Sequence, residues 1–140
     1  MSEILRQLAH IVGDAGLLTG KDVSGRSAGI WRNDTIKAKA IVRPRTTAEV
    51  SAILRVCNMA GQSVIAHGGL TGLVESAITE PDDIVLSLEL MNAIEEVDQN
   101  NRTMIVQSGV VLQEVQETAD QHGLFYPLDL GARGSCTVGG

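Results

Sequence analysis

The chain has 140 residues, enough for one domain, and a hydrophobic share of 44% supports a packed core filled by aliphatic side chains, since aromatics make up only 2%. A net charge of -6 with no Lys/Arg cluster and no interleaved aromatics excludes nucleic acid as an expected partner. Cys57 and Cys136 form neither a metal spacing nor a disulfide framework, the three histidines stand far apart, and neither a membrane-spanning run nor a secretory signal is visible, so no metal, no integral membrane segment and a cytoplasmic setting are expected.

Residues 2–12 are predicted to be a helix, capped by Ser2, with Ile4, Leu5, Leu8, Ile11 and Val12 on one face and Gly13 at its end. Glycine-rich residues 13–35 are expected to be loop with at most a short helical turn. Within them Trp31 is weighed as a packing anchor ahead of a cofactor wall. Ala40–Val42 reads as a strand. Thr46 and Glu49 then form a capping box for a helix whose face is Val50, Ile53, Leu54 and Cys57, stopped by Gly61. Cys57 is expected in the core. Residues 63–66 form the next strand, and together these three make a parallel βαβ unit.

Ile84–Leu88 is apolar enough for a central strand. Residues 94–97 and 103–107 are predicted to pair as a hairpin around Asp98–Arg102. Val111, Leu112, Val115 and Ala119 mark an amphipathic helix stopped by Gly123, with His10 and His122 as dipole partners near their helix ends. Residues 124–130 are a short extended piece broken at Pro127.

Two stretches carry chemistry. After the second strand come His67, Gly68, Gly69, Leu70, Thr71, Gly72 and Leu73. Glycines there let successive amides turn inward as an anion cradle; Thr71 adds a hydroxyl and His67 is expected to add a cation at the rim. The loop lies at the carboxyl end of a parallel strand, where α/β sheets bind ligands. The glycine spacing fits neither the dinucleotide fingerprint nor a Walker loop, so Glu89 is not taken for the ribose-binding acid. The second stretch is Gly134-Ser135-Cys136-Thr137-Val138-Gly139-Gly140, another glycine- and hydroxyl-rich loop. A chain that stops on such a loop is expected to be a fragment.

With both loops in view the chain resembles the FAD-binding domain of the vanillyl-alcohol-oxidase (PCMH) type, and within it the D-2-hydroxyacid dehydrogenase branch. The match rests on Val42-Arg43-Pro44 with the Thr46 cap, on residues 67–73, on 85–88 through Met91-Asn92 to Asp98, and on Tyr126-Pro127-Leu128-Asp129 running into the last loop. It implies an α+β fold, with a small parallel βαβ subdomain followed by part of a second β-rich subdomain with a helix. It covers about residues 35–140, an FAD-binding domain incomplete at its C-terminal end, and leaves 1–34 as the N-terminal helix and loop read above.

By the resemblance, the backbone of Gly68–Gly72 with Thr71 would hold the FAD pyrophosphate, within a binding set running from His67 to Leu73. Pro127, Asp129, Gly134, Ser135 and Thr137 would line the flavin, and Gly139 and Gly140 would allow its close approach. Leu70 stands where some relatives carry the histidine that tethers flavin, so the cofactor is expected to be non-covalent. Val74-Glu75-Ser76 replaces a glycine pair, and Cys136 is expected to be an unreactive thiol. The implied reaction is flavin-linked oxidation of a D-2-hydroxy acid to the 2-oxo acid. Its catalytic residues would come from a later domain, which leaves no catalytic residue here and the isolated chain inactive. Two alternatives stand beside it: an FAD-linked enzyme of an alcohol, sugar or cell-wall precursor, and a non-catalytic nucleotide-binding domain.

Overall fold

The structure, a computed structural model, describes residues 2–140. The elements in chain order are α1 (Glu3–Val12), a 3-10 turn (Asp14–Gly16), β1 (Leu17–Thr19), α2 (Lys21–Ser24), β2 (Ala40–Val42), α3 (Thr47–Met59), β3 (Val64–His67), β4 (Ile84–Ser87), β5 (Ile94–Asp98), β6 (Thr103–Val106) and α4 (Leu112–Gln121). The main sheet has the order β1-β2-β4-β3. β2 and β3 both run parallel to β4, with Ile41 and Ile65 each opposite Val85, while β1 is antiparallel to β2.

Alternation across the sheet explains its two cores. Ala40, Val42, Ile84 and Leu86 face Leu5, Leu8 and Val12 of α1 and Ile53 and Cys57 of α3. Ile41 and Val85 face the other way, onto Val23, Ile36 and Ala38. Every residue of β2 and β4 is therefore buried, as continuous apolar runs require. Leu8 and Ile53 are fully enclosed, and each such burial contributes about 1.5–3 kcal/mol. Cys57 is a core residue, and burial pushes its thiol up from the ordinary value.

Several expectations change. The Ser2 side chain makes no cap bond. The stretch after Gly13 contains the edge strand β1 as well as α2. β2 and β3 are not neighbours, because β4 enters between them. Val111 is the N-cap of α4 rather than part of its apolar face. The capping box holds in altered form: Thr46 Oγ1 accepts from the Glu49 amide at 3.1 Å, while the Glu49 carboxylate accepts from the Arg45 amide at 2.7 Å. β5 and β6 form the predicted hairpin, with Asp98 Oδ1 accepting from the amides of Asn100 and Asn101 at 2.9 Å each. The His122 ring bonds the Thr118 carbonyl at 2.8 Å, near the end of α4.

Candidate functional site

β2, β3 and β4 are parallel, so their carboxyl ends share one edge of the sheet. The chain leaves β3 at His67, whose carbonyl accepts from Leu88 at 3.0 Å, and turns through Gly68–Gly72 on that edge. The last loop is brought there by α4. Val111 offers no side-chain cap, and the first amides of the helix instead donate to that loop: Leu112 to Cys136 O and Gln113 to Arg133 O, each at 3.0 Å. Val138 N and Gly139 N donate back to Val110 O at 2.9 Å and Ser108 O at 2.7 Å.

The two loops touch. A Cβ on Gly69 would overlap the Ser135 carbonyl oxygen, and one on Gly68 would lie 2.5 Å from Thr137 Oγ1 and 2.7 Å from Gly139 O. Only glycine admits this approach. Thr137 fastens it: its hydroxyl accepts from the Gly69 amide at 3.2 Å and donates to Gly139 O at 2.6 Å.

Beside the contact opens a cleft of about 340 Å³, lined by Gly68–Leu73, Cys136, Thr137, Gly139 and Gly140, by residues 75–78, and by Ala28, Gly29, Trp31 and Arg32. That volume is near the lower end of the roughly 300–1,000 Å³ usual for small-molecule sites. Among the described residues, the amides of Leu70, Thr71 and Gly72 donate to no protein acceptor. Leu70 holds φ +54°, the left-handed turn that redirects the chain here. Arg32 is the basic residue of the lining, and its charge is matched. It donates to both oxygens of Asp34 at 2.7 Å and to Glu75 at 3.1 Å, the hydrogen bonds to Asp34 chiefly raising its pKa. An anion in this cleft therefore meets backbone dipoles before it meets an unpaired cation.

His67 is not a rim cation. The residue is 3% exposed, and Nε2 lies 2.9 Å from Ala77 O. A carbonyl only accepts, so Nε2 carries the proton. Burial holds the pKa below the ordinary histidine value against the opposing pull of that hydrogen bond, so the ring favours its neutral form. It faces a smaller recess shared with Glu89. Glu89 is the centre of an ion-pair cluster, taking Arg26 at 2.7 and 3.1 Å and Arg43 at 3.0 Å. Burial raises its pKa, but the two guanidinium groups outweigh that and hold the carboxyl below its ordinary value.

Of the sequence-predicted set, His67, Pro127, Asp129, Gly134 and Ser135 stand outside the cleft lining, although the Ser135 carbonyl packs on Gly69. Trp31 is not a packing anchor: it is 69% exposed and lines the cleft. Sequence reasoning ranked the cofactor-wall role of Trp31 below packing and missed the rest of that wall, Ala28, Gly29, Arg32 and residues 75–78. The available signal was a lone tryptophan in a glycine-rich stretch of an aromatic-poor chain.

A family profile described as "FAD binding domain" matches residues 38–140. The chain belongs to that FAD binding domain family. It is 39% identical over 134 residues to a putative mitochondrial D-lactate dehydrogenase of Schizosaccharomyces pombe, covering 91% of this chain and 26% of that protein. It is 40% identical to the mitochondrial D-2-hydroxyglutarate dehydrogenase of Bos taurus (74% and 19% covered) and 33% identical to the D-2-hydroxyglutarate dehydrogenase of Stutzerimonas stutzeri (98% and 30% covered). The chain thus spans from about a fifth to under a third of the length of these curated relatives. Among solved structures it superposes on an alkyldihydroxyacetonephosphate synthase with TM-score 0.83 at 19% identity, covering 97% of this chain and 30% of that one. p-Cresol methylhydroxylase gives TM-score 0.75 at 17% identity, covering 99% and 27%. These likenesses establish the fold, an α+β FAD-binding architecture of the PCMH type. FAD is the cofactor of the domain, and the open amides of Leu70–Gly72 beside glycines that admit close approach suit its diphosphate.

Proposed function

We propose that this domain is the FAD-holding part of a flavin-dependent enzyme that oxidises a D-2-hydroxy acid to the 2-oxo acid. The observation that carries the reading is the row of amides at Leu70, Thr71 and Gly72 that donate to no protein acceptor among the described residues, on residues lining the cleft beside the Thr137–Gly69 contact. In this reading those amides and the Thr71 hydroxyl hold the diphosphate. His67 sets the entry of the loop from within the core, and Gly68, Gly69 and Leu73 shape its two sides. Thr137, Gly139 and Gly140 form the opposite wall, with Pro127, Asp129, Gly134 and Ser135 on the flavin approach. The flavin supplies the electron-accepting chemistry when bound. The chain's own part is to bind, orient and exclude water, and it contributes no catalytic residue.

Supporting the substrate class is the identity shared with proteins named D-lactate and D-2-hydroxyglutarate dehydrogenases. Residues 35–140 are the proposed FAD-binding unit, with 1–34 adding an edge strand and the Trp31 wall. The base and the carboxylate clamp come from sequence outside the 140 residues, so the isolated chain is inactive. Leucine at position 70 leaves no histidine tether there, and the cofactor is non-covalent: acid precipitation should release all flavin to the supernatant. Among the described residues no helix is long and apolar enough to cross a membrane. We place the protein in the cytoplasm, and fractionation tests that.

The deciding experiment uses the whole polypeptide that carries this domain. Yellow absorption bleached by D-lactate or D-2-hydroxyglutarate supports the reading. Bleaching only by NADPH shifts it to the FAD-linked enzymes of other substrates, and a colourless protein that binds no FAD sinks it.

A further inference from the structure

We infer that Trp31 is the stacking wall for the adenine ring of the dinucleotide; the inference rests on the FAD reading of the cleft and adds the residue that receives its non-flavin end. Only three aromatic residues occur in the chain, one each of Trp, Tyr and Phe. The largest of them stands 69% exposed on a loop tip that lines the cleft. That loop is fixed rather than loose. Ser27 bridges Thr35 as an antiparallel pair, and Ala28 N donates to Asp34 O and Ile36 N to Arg26 O, each at 3.0 Å. The Ser27 hydroxyl donates to Gly29 O at 2.9 Å. The Arg32 guanidinium joins Asp34 beside it to Glu75 across the cleft.

Position selects the ring. The last loop meets the glycine loop at Gly68 and Gly69, whereas the Trp31 loop meets it further on, through Ile30 N on Leu70 O at 3.4 Å and through Glu75. Along the chain the open amides of Leu70, Thr71 and Gly72 follow directly on the Gly68–Gly69 contact and fall within the stretch from Leu70 to Glu75 that the Trp31 loop holds. A diphosphate held there has the last loop at one end and Trp31 at the other. With the flavin on the side of Gly139 and Gly140, the adenosine end falls to Trp31. Arg32 is already neutralised by two carboxylates, so recognition at this end comes from a flat aromatic face, which stacks a base without needing a hydrogen-bond code.

Trp31 is the one tryptophan of the chain, so its emission is an isolated probe. Flavin accepts energy from tryptophan at a distance, which makes ADP the informative ligand: it alters the emission only by contact. ADP titrated into the flavin-free chain should change the emission saturably, and inorganic pyrophosphate should bind by calorimetry without changing it. Trp31→Ala should weaken both ADP and FAD by about tenfold, Trp31→Phe by less than about threefold, and neither should alter pyrophosphate affinity. If ADP binds while the emission stays fixed, or if the alanine variant binds ADP as tightly as wild type, Trp31 is not the wall and the FAD reading stands. If ADP, pyrophosphate and FAD all fail to bind the folded chain, the two fall together.

Discussion

Gly68–Gly72 and Gly134–Gly140 are alike in composition and unlike in hydrogen bonding. In the first, the amides of Leu70, Thr71 and Gly72 donate to no protein acceptor among the described residues, and all three residues line the cleft. In the second, Cys136 O and Arg133 O take the first amides of α4, Val138 N and Gly139 N close on residues 108–110, and the Thr137 hydroxyl is shared between Gly69 and Gly139. One loop keeps donors for a guest. The other ties its groups chiefly to α4 and residues 108–110, with only the Thr137 hydroxyl on the first loop, and its Thr137 and Gly140 amides, on residues that also line the cleft, donate to no protein acceptor among the described residues. Glycine content therefore says where backbones come close, while the pairing of the amides says which backbone is left to bind.

The largest expected effect separates these two uses of glycine. In Gly69→Ala the new methyl meets backbone, the Ser135 carbonyl and Cys136 Cα, and neither can step aside as a side-chain end would. Stability should fall by about 3 kcal/mol, the upper end of overpacking costs, in denaturant unfolding, and FAD affinity should fall with it. Gly72→Ala is the matched opposite. Nothing lies within 4 Å of a Cβ there, and its φ is not in the left-handed region. Stability should move by less than about 0.5 kcal/mol, while calorimetry should show weaker FAD binding, because Gly72 lines the cleft. Equal loss of stability in both variants would break the distinction between a contact glycine and a cradle glycine.

Thr137→Val removes the fastening and keeps the shape. Two hydrogen bonds go, and the Gly69 amide loses its acceptor, so a loss of about 1–2 kcal/mol is expected, with Thr137→Ser close to wild type. If valine proves neutral, packing alone holds the loops together.

A smaller effect reports on the buried entrance to the first loop. The folded His67 pKa is depressed by burial, so its contribution is complete above the unfolded value near 6.5 and is lost as pH falls below it, toward the folded value. Glu89 is also depressed, and its share is lost only on falling below the ordinary carboxylate value of 4.5. Stability against pH should therefore show two separate declines. His67→Gln, which keeps a donor for Ala77 O but does not titrate, should remove the upper decline alone. Persistence of that decline in the variant would place its source elsewhere.

Much of this architecture was legible in the sequence because it is written locally. The Thr46–Glu49 cap, the run Ile84–Ser87 and the Asp98 turn each identify an element within a few residues. What stayed hidden depends on partners far along the chain. β1 has three residues, and only its pairing with β2 makes it a strand. The place of β4 between β2 and β3 is a tertiary choice that no local pattern encodes. Both loops of the site could be found from their glycines. The His67 charge could not be judged, because its burial comes from the surrounding fold. Glu89 could be set aside as a ribose ligand, but its pairing with Arg26 and Arg43 spans 63 and 46 residues. The Trp31 wall depends in the same way on Arg32 reaching Glu75, 43 residues on.

The smallest expected effect concerns Leu70, where shape and side chain pull in opposite directions. A left-handed φ of +54° costs a leucine about 1–2 kcal/mol, and glycine adopts it without that cost. Glycine also gives the unfolded chain more freedom, which returns about 0.5–1 kcal/mol of the gain. Leu70→Gly should therefore be neutral to about 1 kcal/mol stabilising, with FAD affinity within about twofold of wild type. Leu70 lines both the cleft and the smaller recess, so its side chain is placed to divide the two if it contributes packing at all. A loss above about 1 kcal/mol would show that this partition, rather than the turn, is what leucine contributes. The first loop would then depend on a side chain as much as the second depends on Thr137.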